Sequence, residues 1–212
     1  VTEMNASHPT DKVNEVWNND IGTCDLVILF HITEHNLETN VLQVEVTSAW
    51  ADKTLDADGK CIPESYEFAL EPSLMVMTID GCKFDFSQKF DLNIVTPTVS
   101  KPFHVFGVTG DGVITEDGND IPYCKLSGLI AEEETYDLCL QIPGLGTANF
   151  HWFMNLASIC PNADSDNDGS IDSYYFEGIL KAVSETDLFK AGTIHPIESI
   201  VEECPFDDAD CV

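Results

Sequence analysis

Arginine is missing from the sequence, and all nine of its basic residues are lysines. These nine face 38 acidic residues, so the formal net charge is −29. Without guanidinium groups the chain has no bidentate recognition of phosphate or carboxylate. A surface this acidic repels phosphate backbones and anionic lipid headgroups, so we expect neither nucleic-acid binding nor electrostatic attachment to membranes. Divalent cations are its natural counterions.

Several other patterns are absent. No apolar run approaches the length of a membrane-spanning helix, so we expect no membrane insertion. No Cys-x-x-Cys pair occurs, which argues against zinc knuckles and thioredoxin-like redox sites. The GxSxG, Walker and dinucleotide-binding motifs are also missing. These absences favour a protein that is not an enzyme.

Cysteine, in contrast, is present in an even number. The eight cysteines are Cys24, Cys61, Cys82, Cys124, Cys139, Cys160, Cys204 and Cys211. Their number and wide spacing predict structural disulfides formed in an oxidising compartment, with the pairing left open. We therefore expect an extracellular or cell-surface protein. The sequon Asn5-Ala6-Ser7 makes Asn5 a candidate glycosylation site.

Residues 25–157 show the alternation of apolar and polar side chains that is typical of strands. Four sets share a face by this pattern: Leu42, Val44 and Val46; Phe90, Leu92 and Ile94; Tyr136, Leu138, Leu140 and Ile142; Phe150, Trp152, Met154 and Leu156. The runs from Leu26 to Ile32 and from Leu74 to Ile79 are continuously apolar, which predicts central strands covered on both faces. We expect a mainly β fold, an antiparallel two-sheet sandwich or a jelly-roll-like arrangement.

The apolar period changes after Leu156. Two sets have the spacing of one helix face: Phe176, Ile179, Leu180 and Val183, then Ile197, Ile200, Val201 and Cys204. Ser173 or Asp172 would cap the first helix. The sequence therefore predicts an N-terminal polar segment at 1–24, a β-sandwich domain at 25–157, and a calcium loop with a two-helix tail at 158–212.

The segment from Asp164 to Asp172 has the pattern of a calcium-binding loop. Carboxylates stand at loop positions 1, 3, 5 and 9, and Gly169 at position 6 permits the sharp turn that such a loop requires. The predicted ligands are Asp164, Asp166, Asp168, Ser170 through its carbonyl, Asp172 and Glu177. Calcium prefers six to eight such oxygens.

With the predicted helix after it, this loop resembles an EF-hand or dockerin loop. That family has a coordinating carboxylate at position 12, where this chain has Tyr175, so Glu177 is the substitute. Loss of a strong ligand predicts a structural site with a Kd of roughly 10⁻⁴–10⁻³ M. The preceding Cys160-Pro-Asn-Ala is also similar to thrombospondin type 3 repeats, in which Cys-Pro segments flank calcium runs.

Two other motifs suggest different functions. His31, Glu34 and His35 match the HxxEH metalloprotease signature, which requires a helix, although the preceding run Leu26-Val-Ile-Leu-Phe30 favours a strand. The stretch from Cys124 through Tyr136 to Leu156 resembles the second half of ML lipid-recognition domains, which implies a β-sandwich with a lipid cavity. Trp17, Trp50 and Trp152 would serve a sugar-binding face or the core.

The sequence thus favours a non-enzymatic extracellular protein that disulfides and calcium stabilise, such as a matrix, adhesion or filament subunit. Its partners would be further copies of itself or other extracellular proteins, joined through sheet edges. A lipid- or carbohydrate-binding β-sandwich protein is the alternative, and a secreted HxxEH metallohydrolase is the remote one.

Overall fold

The computed structural model describes residues 3–6, 18–57, 61–68, 72–94, 96, 99, 101–142, 146–156, 158–183 and 194–196. The fold is mainly β, with a curled antiparallel sheet and a few short helices. This confirms the predicted fold class. None of the described helices is long and apolar enough to cross a membrane.

The described residues form thirteen strands and three brief helices. The strands are β1 (Glu3–Ala6), β2 (Val27–Asn36), β3 (Val41–Leu55), β4 (Cys61–Phe68), β5 (Ser73–Asp80), β6 (Lys83–Phe86), β7 (Phe90–Ile94), β8 (Phe103–Val113), β9 (Asp120–Ala131), β10 (Cys139–Ile142), β11 (Gly146–Asn149), β12 (Ser173–Val183) and β13 (Ile194–Pro196). The helices are α1 (residues 18–22), α2 (Glu132–Tyr136) and α3 (Phe150–Leu156).

The strands β2 to β9 are joined by antiparallel pairs, among them β5 with β6. Strand β3 pairs with β2, β4 and β5, while β8 pairs with β6, β7 and β9. Strand β12 then joins the sheet beside β9, and β1 pairs with the other edge of β12. Strand β13 pairs in parallel with β4, and within the described residues these strands form one eleven-stranded sheet. A separate two-stranded sheet consists of β10 and β11.

Two of the predicted strand faces line the core as expected. In β3, Val44 and Val46 are each 1% exposed, and in β7 Phe90, Leu92 and Ile94 are all buried. The alternation of apolar and polar residues predicts these two strands correctly, because each buries one face and leaves the other toward solvent. The sequence period therefore equals the structural period of two.

The strand predicted from Phe150 to Leu156 is wrong, because these residues form α3. The helix buries Phe150, Phe153 and Met154, which are spaced i, i+3, i+4, and leaves Leu156 exposed. A run of apolar residues this dense fits both periods, and the packed face decides between them. The strand predicted from Tyr136 to Ile142 is correct only in its second half. Tyr136 is the last residue of α2, and the strand β10 begins at Cys139.

The helix predicted from Phe176 to Val183 is also wrong, because residues 173–183 form β12. Tyr174 and Leu180 point into the core, whereas Val183 is exposed, as a period of two requires. Paired along its length with β9, the strand satisfies its backbone through the sheet. The predicted tail therefore lacks its first helix, and the second, at 197–204, lies outside the described residues.

The two continuously apolar runs are less covered than predicted. Within the described residues β2 pairs with β3 alone, and its burial ends near Phe30, so it is not central there. Strand β5 does have neighbours on both sides, but it buries only Met75 and Met77 while Leu74 is 56% exposed. Apolar composition therefore overstated the burial of both strands.

Disulfides hold part of the chain, as the cysteine count predicts. Cys24, just after α1, is bonded to Cys61 at the start of β4, with 6.0 Å between their Cα atoms. Cys139 and Cys160 each take part in a disulfide as well. Cys82 and Cys124 are free thiols, so structural pairing does not extend to every described cysteine. Cys204 and Cys211 lie outside the described residues.

Candidate metal site

The loop from Asp164 to Asp172 is closed at its base by backbone hydrogen bonds. Ala163 and Ser173 form an antiparallel bridge, and the N–H of Asp172 donates to the carbonyl of Ala163 at 3.0 Å. The N–H of Asn162 donates to the carbonyl of Ser173 at 2.9 Å. The two ends of the loop therefore lie side by side at the start of β12, where these backbone hydrogen bonds hold them.

Inside the loop the chain reverses at two residues that tolerate positive φ. Asn167 has φ of 63° and Gly169 has φ of 96°. These turns aim backbone N–H groups at Asp164, whose carboxylate accepts from Asp168 at 3.2 Å and from Gly169 at 2.8 Å. The sequence expectation that glycine makes the bend agrees with this geometry.

Three carboxylates converge in the loop. One oxygen each from Asp164, Asp166 and Asp168 lies within 4.8 Å of the others. Asp164 is half-buried, and the other two are exposed. In the described part of the chain no other group of three or more His, Cys, Asp or Glu side chains comes together in this way. Oxygen ligands that carry negative charge are those that calcium prefers.

The remaining predicted ligands lie elsewhere in the hydrogen-bond network. Asp172 accepts from Ser165, whose hydroxyl lowers the pKa of the Asp172 carboxyl. The N–H of Ser170 donates to the Asp168 carboxylate at 2.7 Å. The carboxylate of Asp172 is not among the three that converge. Asp172 instead braces the loop.

Glu177 is outside the convergent group as well. It lies in β12, where its carboxylate forms an ion pair with the Lys125 ammonium at 2.8 Å and accepts from the Tyr175 hydroxyl at 3.1 Å. The Glu177 carboxylate raises the pKa of Lys125. The sequence analysis named Glu177 as the substitute because Tyr175 stands at position 12 of the loop. In the structure Glu177 lies in a strand and not in the helix that was predicted after the loop.

A connection that the sequence did not indicate joins this loop to α2. The N–H of Glu132, the first residue of α2, donates to the carbonyl of Asp172 at 2.9 Å. In sequence the two residues are far apart and carry no shared motif, so only the pairing of β9 with β12 brings them together. The base of the loop therefore contacts both the sheet and the helical unit.

The HxxEH residues lie on a strand. His31, Glu34 and His35 are all in β2 and exposed, and His31 contacts Glu45 at 3.2 Å. The Glu34 carboxylate accepts from the amide of Gln43 at 2.8 Å. A metalloprotease of this type needs both histidines on one helix around the metal, and β2 does not provide that helix.

The other candidate residues are placed only in part. The backbone of Asn5 lies in β1, opposite Ile179 of β12, and its side chain is outside the described residues. Trp152 packs against the core from α3, while Trp17 and the Trp50 side chain are outside the described part. No family model matches the chain, and no curated protein or solved structure is significantly similar to it.

Proposed function

We propose that this chain is a non-enzymatic extracellular protein with a structural or interaction role, stabilised by disulfides and by calcium. The observation that carries the proposal is the convergence of Asp164, Asp166 and Asp168 within 4.8 Å. Three carboxylates at this separation repel one another, and a divalent cation between them offsets that repulsion. The net charge of −29 favours the same counterion.

The role of the bound calcium follows from the position of the loop. The loop closes at Ala163 and Ser173, and Ser173 begins β12, which lies between β9 and β1 in the sheet. A cation held by the loop therefore stabilises the start of an interior strand. Three carboxylates supply only part of the oxygen ligands that calcium needs, so backbone carbonyls and water supply the others. We therefore expect a Kd in the roughly 10⁻⁴–10⁻³ M range of extracellular modules.

The disulfides and the weak calcium site both support an extracellular location. Disulfides such as Cys24–Cys61 persist in oxidising surroundings, where calcium is also abundant enough to fill a weak site. Assembly with further copies or with other extracellular proteins would use a sheet edge, and β2 pairs on one side only within the described residues.

Calorimetric titration with calcium, repeated with magnesium, tests the site. Asp166→Asn and Asp168→Asn should each weaken calcium binding by about tenfold or more, since each removes a charged ligand. Asp117→Asn is the matched control, because Asp117 lies in a different turn. There its carboxylate accepts hydrogen bonds from the side chains of Thr115 and Asn119. Equal affinities for the wild type and all three variants would overturn the site.

The interaction role has a separate test. Light scattering after size exclusion, with calcium and with a chelator, reads the mass of the assembly over a range of concentrations. We expect a mass that rises with concentration in calcium. A monomeric mass throughout, together with no change on mixing with extracellular matrix proteins, would contradict the interaction role without affecting the calcium site.

A further inference from the structure

One face of the sheet differs in charge from the rest of the molecule. Along β8, β9 and β12, side chains buried in the core largely alternate with side chains that point outward. The three strands pair side by side, so their outward residues form rows across the strands. We define the β9 face as the outward side chains from Phe106 to Val113 on β8, from Tyr123 to Leu129 on β9, and from Tyr175 to Lys181 on β12.

The charges of the β9 face cancel. It carries two carboxylates, Asp111 and Glu177, and two ammonium groups, Lys125 and Lys181. Lys125 and Glu177 already form an ion pair at 2.8 Å. The whole chain has a net charge of −29, so a face without net charge is unusual for it.

The same face exposes two aromatic rings. Tyr175 is 46% exposed and Tyr123 is 37% exposed. Tyr175 lies in one row with Leu129 and Phe106, which are half-buried. Tyrosine is enriched where proteins contact one another, because it buries a large ring and keeps a polar tip. The β9 face therefore has the composition of a protein contact.

The charge also favours one kind of partner. A second copy of this chain carries −29 as well, so the acidic surfaces of two copies repel each other. The paired segments of β2 and β3, residues 27–36 and 41–49, contain two glutamates and no lysine, so they belong to such a surface. On the β9 face each copy offers as many ammonium groups as carboxylates, which removes the repulsion at close range.

The order of the rows suits contact between two identical faces. Consider a two-fold axis that crosses the strands between the row of Ser127 and the row of Lys125. This axis sets Tyr123 against Leu129 of the second copy, so two apolar surfaces meet. It also sets Lys181 against the ring of Tyr175, whose face attracts a cation.

The two inner rows meet without opposing like charges. The same axis sets Lys125 against Ser127 and Asp111 against Thr109 of the second copy. A hydroxyl can accept from an ammonium group and donate to a carboxylate, so each charge lies opposite a suitable partner. Glu177 keeps the ion pair with Lys125 of its own copy.

We propose that the β9 face binds a second copy of this chain, face to face about a two-fold axis. This rests on the interaction role proposed above and names its partner, and it adds a sheet face to the edge of β2 as a route of assembly. Calcium takes no direct part, because the face contains no residue of the loop from Asp164 to Asp172.

Sedimentation equilibrium of the full chain tests the contact. Chelator is present throughout, and the salt is physiological, where a Debye length of about 8 Å limits long-range repulsion. We expect the wild type to form a dimer. Tyr175→Ala removes an exposed ring and should weaken that dimer by about tenfold or more. A wild type that stays monomeric at every concentration would leave the face to a partner of another kind and overturn the proposal, whereas the calcium titration would be unaffected.

Charge reversal shows whether the contact lies on this face. Lys125→Glu makes the face acidic and should weaken the dimer by about tenfold or more, since like charges then meet. Adding Glu177→Lys restores the charge balance and the ion pair, so the double variant should recover most of the lost affinity. Lys101→Glu is the matched control, because it changes the net charge equally while Lys101 is exposed before β8 and outside the face.

A variant on β2 separates the face from the sheet edge. Ile32 is 53% exposed on β2, and Ile32→Glu should leave the dimer unchanged. Near-UV circular dichroism and the melting temperature verify that each variant is folded. Dimers of wild-type strength in both Tyr175→Ala and Lys125→Glu, or an equal loss in Ile32→Glu, would overturn the β9 face and leave the interaction role standing.

Discussion

Ser165 donates two hydrogen bonds to the carboxylate of Asp172, from its backbone N–H at 3.0 Å and from its hydroxyl at 2.9 Å. The pair spans the two sides of the acidic loop, just above the base where Ala163 and Ser173 meet. A carboxylate that accepts two such bonds is held in one orientation, so the loop is shaped by its own side chains before any cation arrives.

This pair predicts a specific pH dependence. The Ser165 hydroxyl is the largest cause of the lowered pKa of Asp172, whose ordinary value is 3.8. A lowered pKa in the folded state gives a stabilisation that is present above 3.8 and lost as pH falls through the lower folded value. Ser165→Ala should raise the Asp172 pKa toward 3.8, as carboxyl NMR titration without calcium would show.

Ser170→Ala is the control for that titration. Ser170 bonds the loop through its backbone N–H, which alanine retains, so the pKa of Asp172 should not change. An unchanged Asp172 pKa in Ser165→Ala would mean that the hydroxyl bond does not hold the carboxylate in solution.

The strand assignment of residues 173–183 predicts unequal costs for two truncations. Leu180 is fully buried and Val183 is 47% exposed, although both were expected on one helix face. Leu180→Ala should lower the free energy of unfolding by about 2–5 kcal/mol. Val183→Ala should change it by no more than about 0.5 kcal/mol. Denaturant titration measures both, and comparable losses would contradict the strand.

The two free thiols should differ in reactivity. Burial raises the pKa of the Cys124 thiol to about 12, and the Asp111 charge adds to the shift, whereas Cys82 is partly exposed. Because the thiolate is the reactive form, iodoacetamide at pH 8 should label Cys82 in the native protein and Cys124 only after unfolding. Peptide mass mapping with and without denaturant reads the difference. Labelling of Cys124 at the rate of Cys82 in the native state would contradict the buried position.

Close strand packing predicts that replacing Gly110 destabilises the fold. A Cβ atom there would overlap the carbonyl oxygen of Lys125 on β9 and lie 3.1 Å from the Leu126 Cα. Gly110→Ala should therefore cost about 1–3 kcal/mol, since backbone would have to move. Gly22→Ala, which meets nothing within 4 Å, is the control and should leave the melting temperature nearly unchanged. Equal melting temperatures for the two variants would be the contrary result.

How far the sequence predicts this fold depends on how many faces each element buries. Strands with one buried face, such as β3 and β7, have a polar side that makes their period visible. In α3 the apolar residues are too dense to separate a period of two from one of 3.6. In β12, Phe176 and Leu180 share a face under both periods, so only the exposure of Val183 and the pairing with β9 exclude the helix.

In the candidate metal site, contacts between residues close in sequence could be predicted, whereas contacts between distant residues could not. Asp164, Asp166 and Asp168 come together because a short turning loop determines their spacing, which the sequence shows directly. Glu177 was named because position 12 lacks a carboxylate, and its ion pair with Lys125 on β9 could not be predicted from the sequence. The contacts of His151 with Thr135 and Tyr174 could not be predicted, since the three residues lie in α3, α2 and β12 and match no motif.

The pairing of β1 with β12 affects how the chain can be synthesised and folded. Glu3 is opposite Lys181, so the first described strand has its partner almost at the other end of the described sequence. During translation the N-terminal strand must wait until β12 has emerged, and the closure of so long a loop carries a large entropic cost. The antiparallel pairs among β2 to β9 can form beforehand from neighbouring segments. Until β1 pairs with β12, that side of β12 is an unpaired strand edge, which is open to wrong pairing.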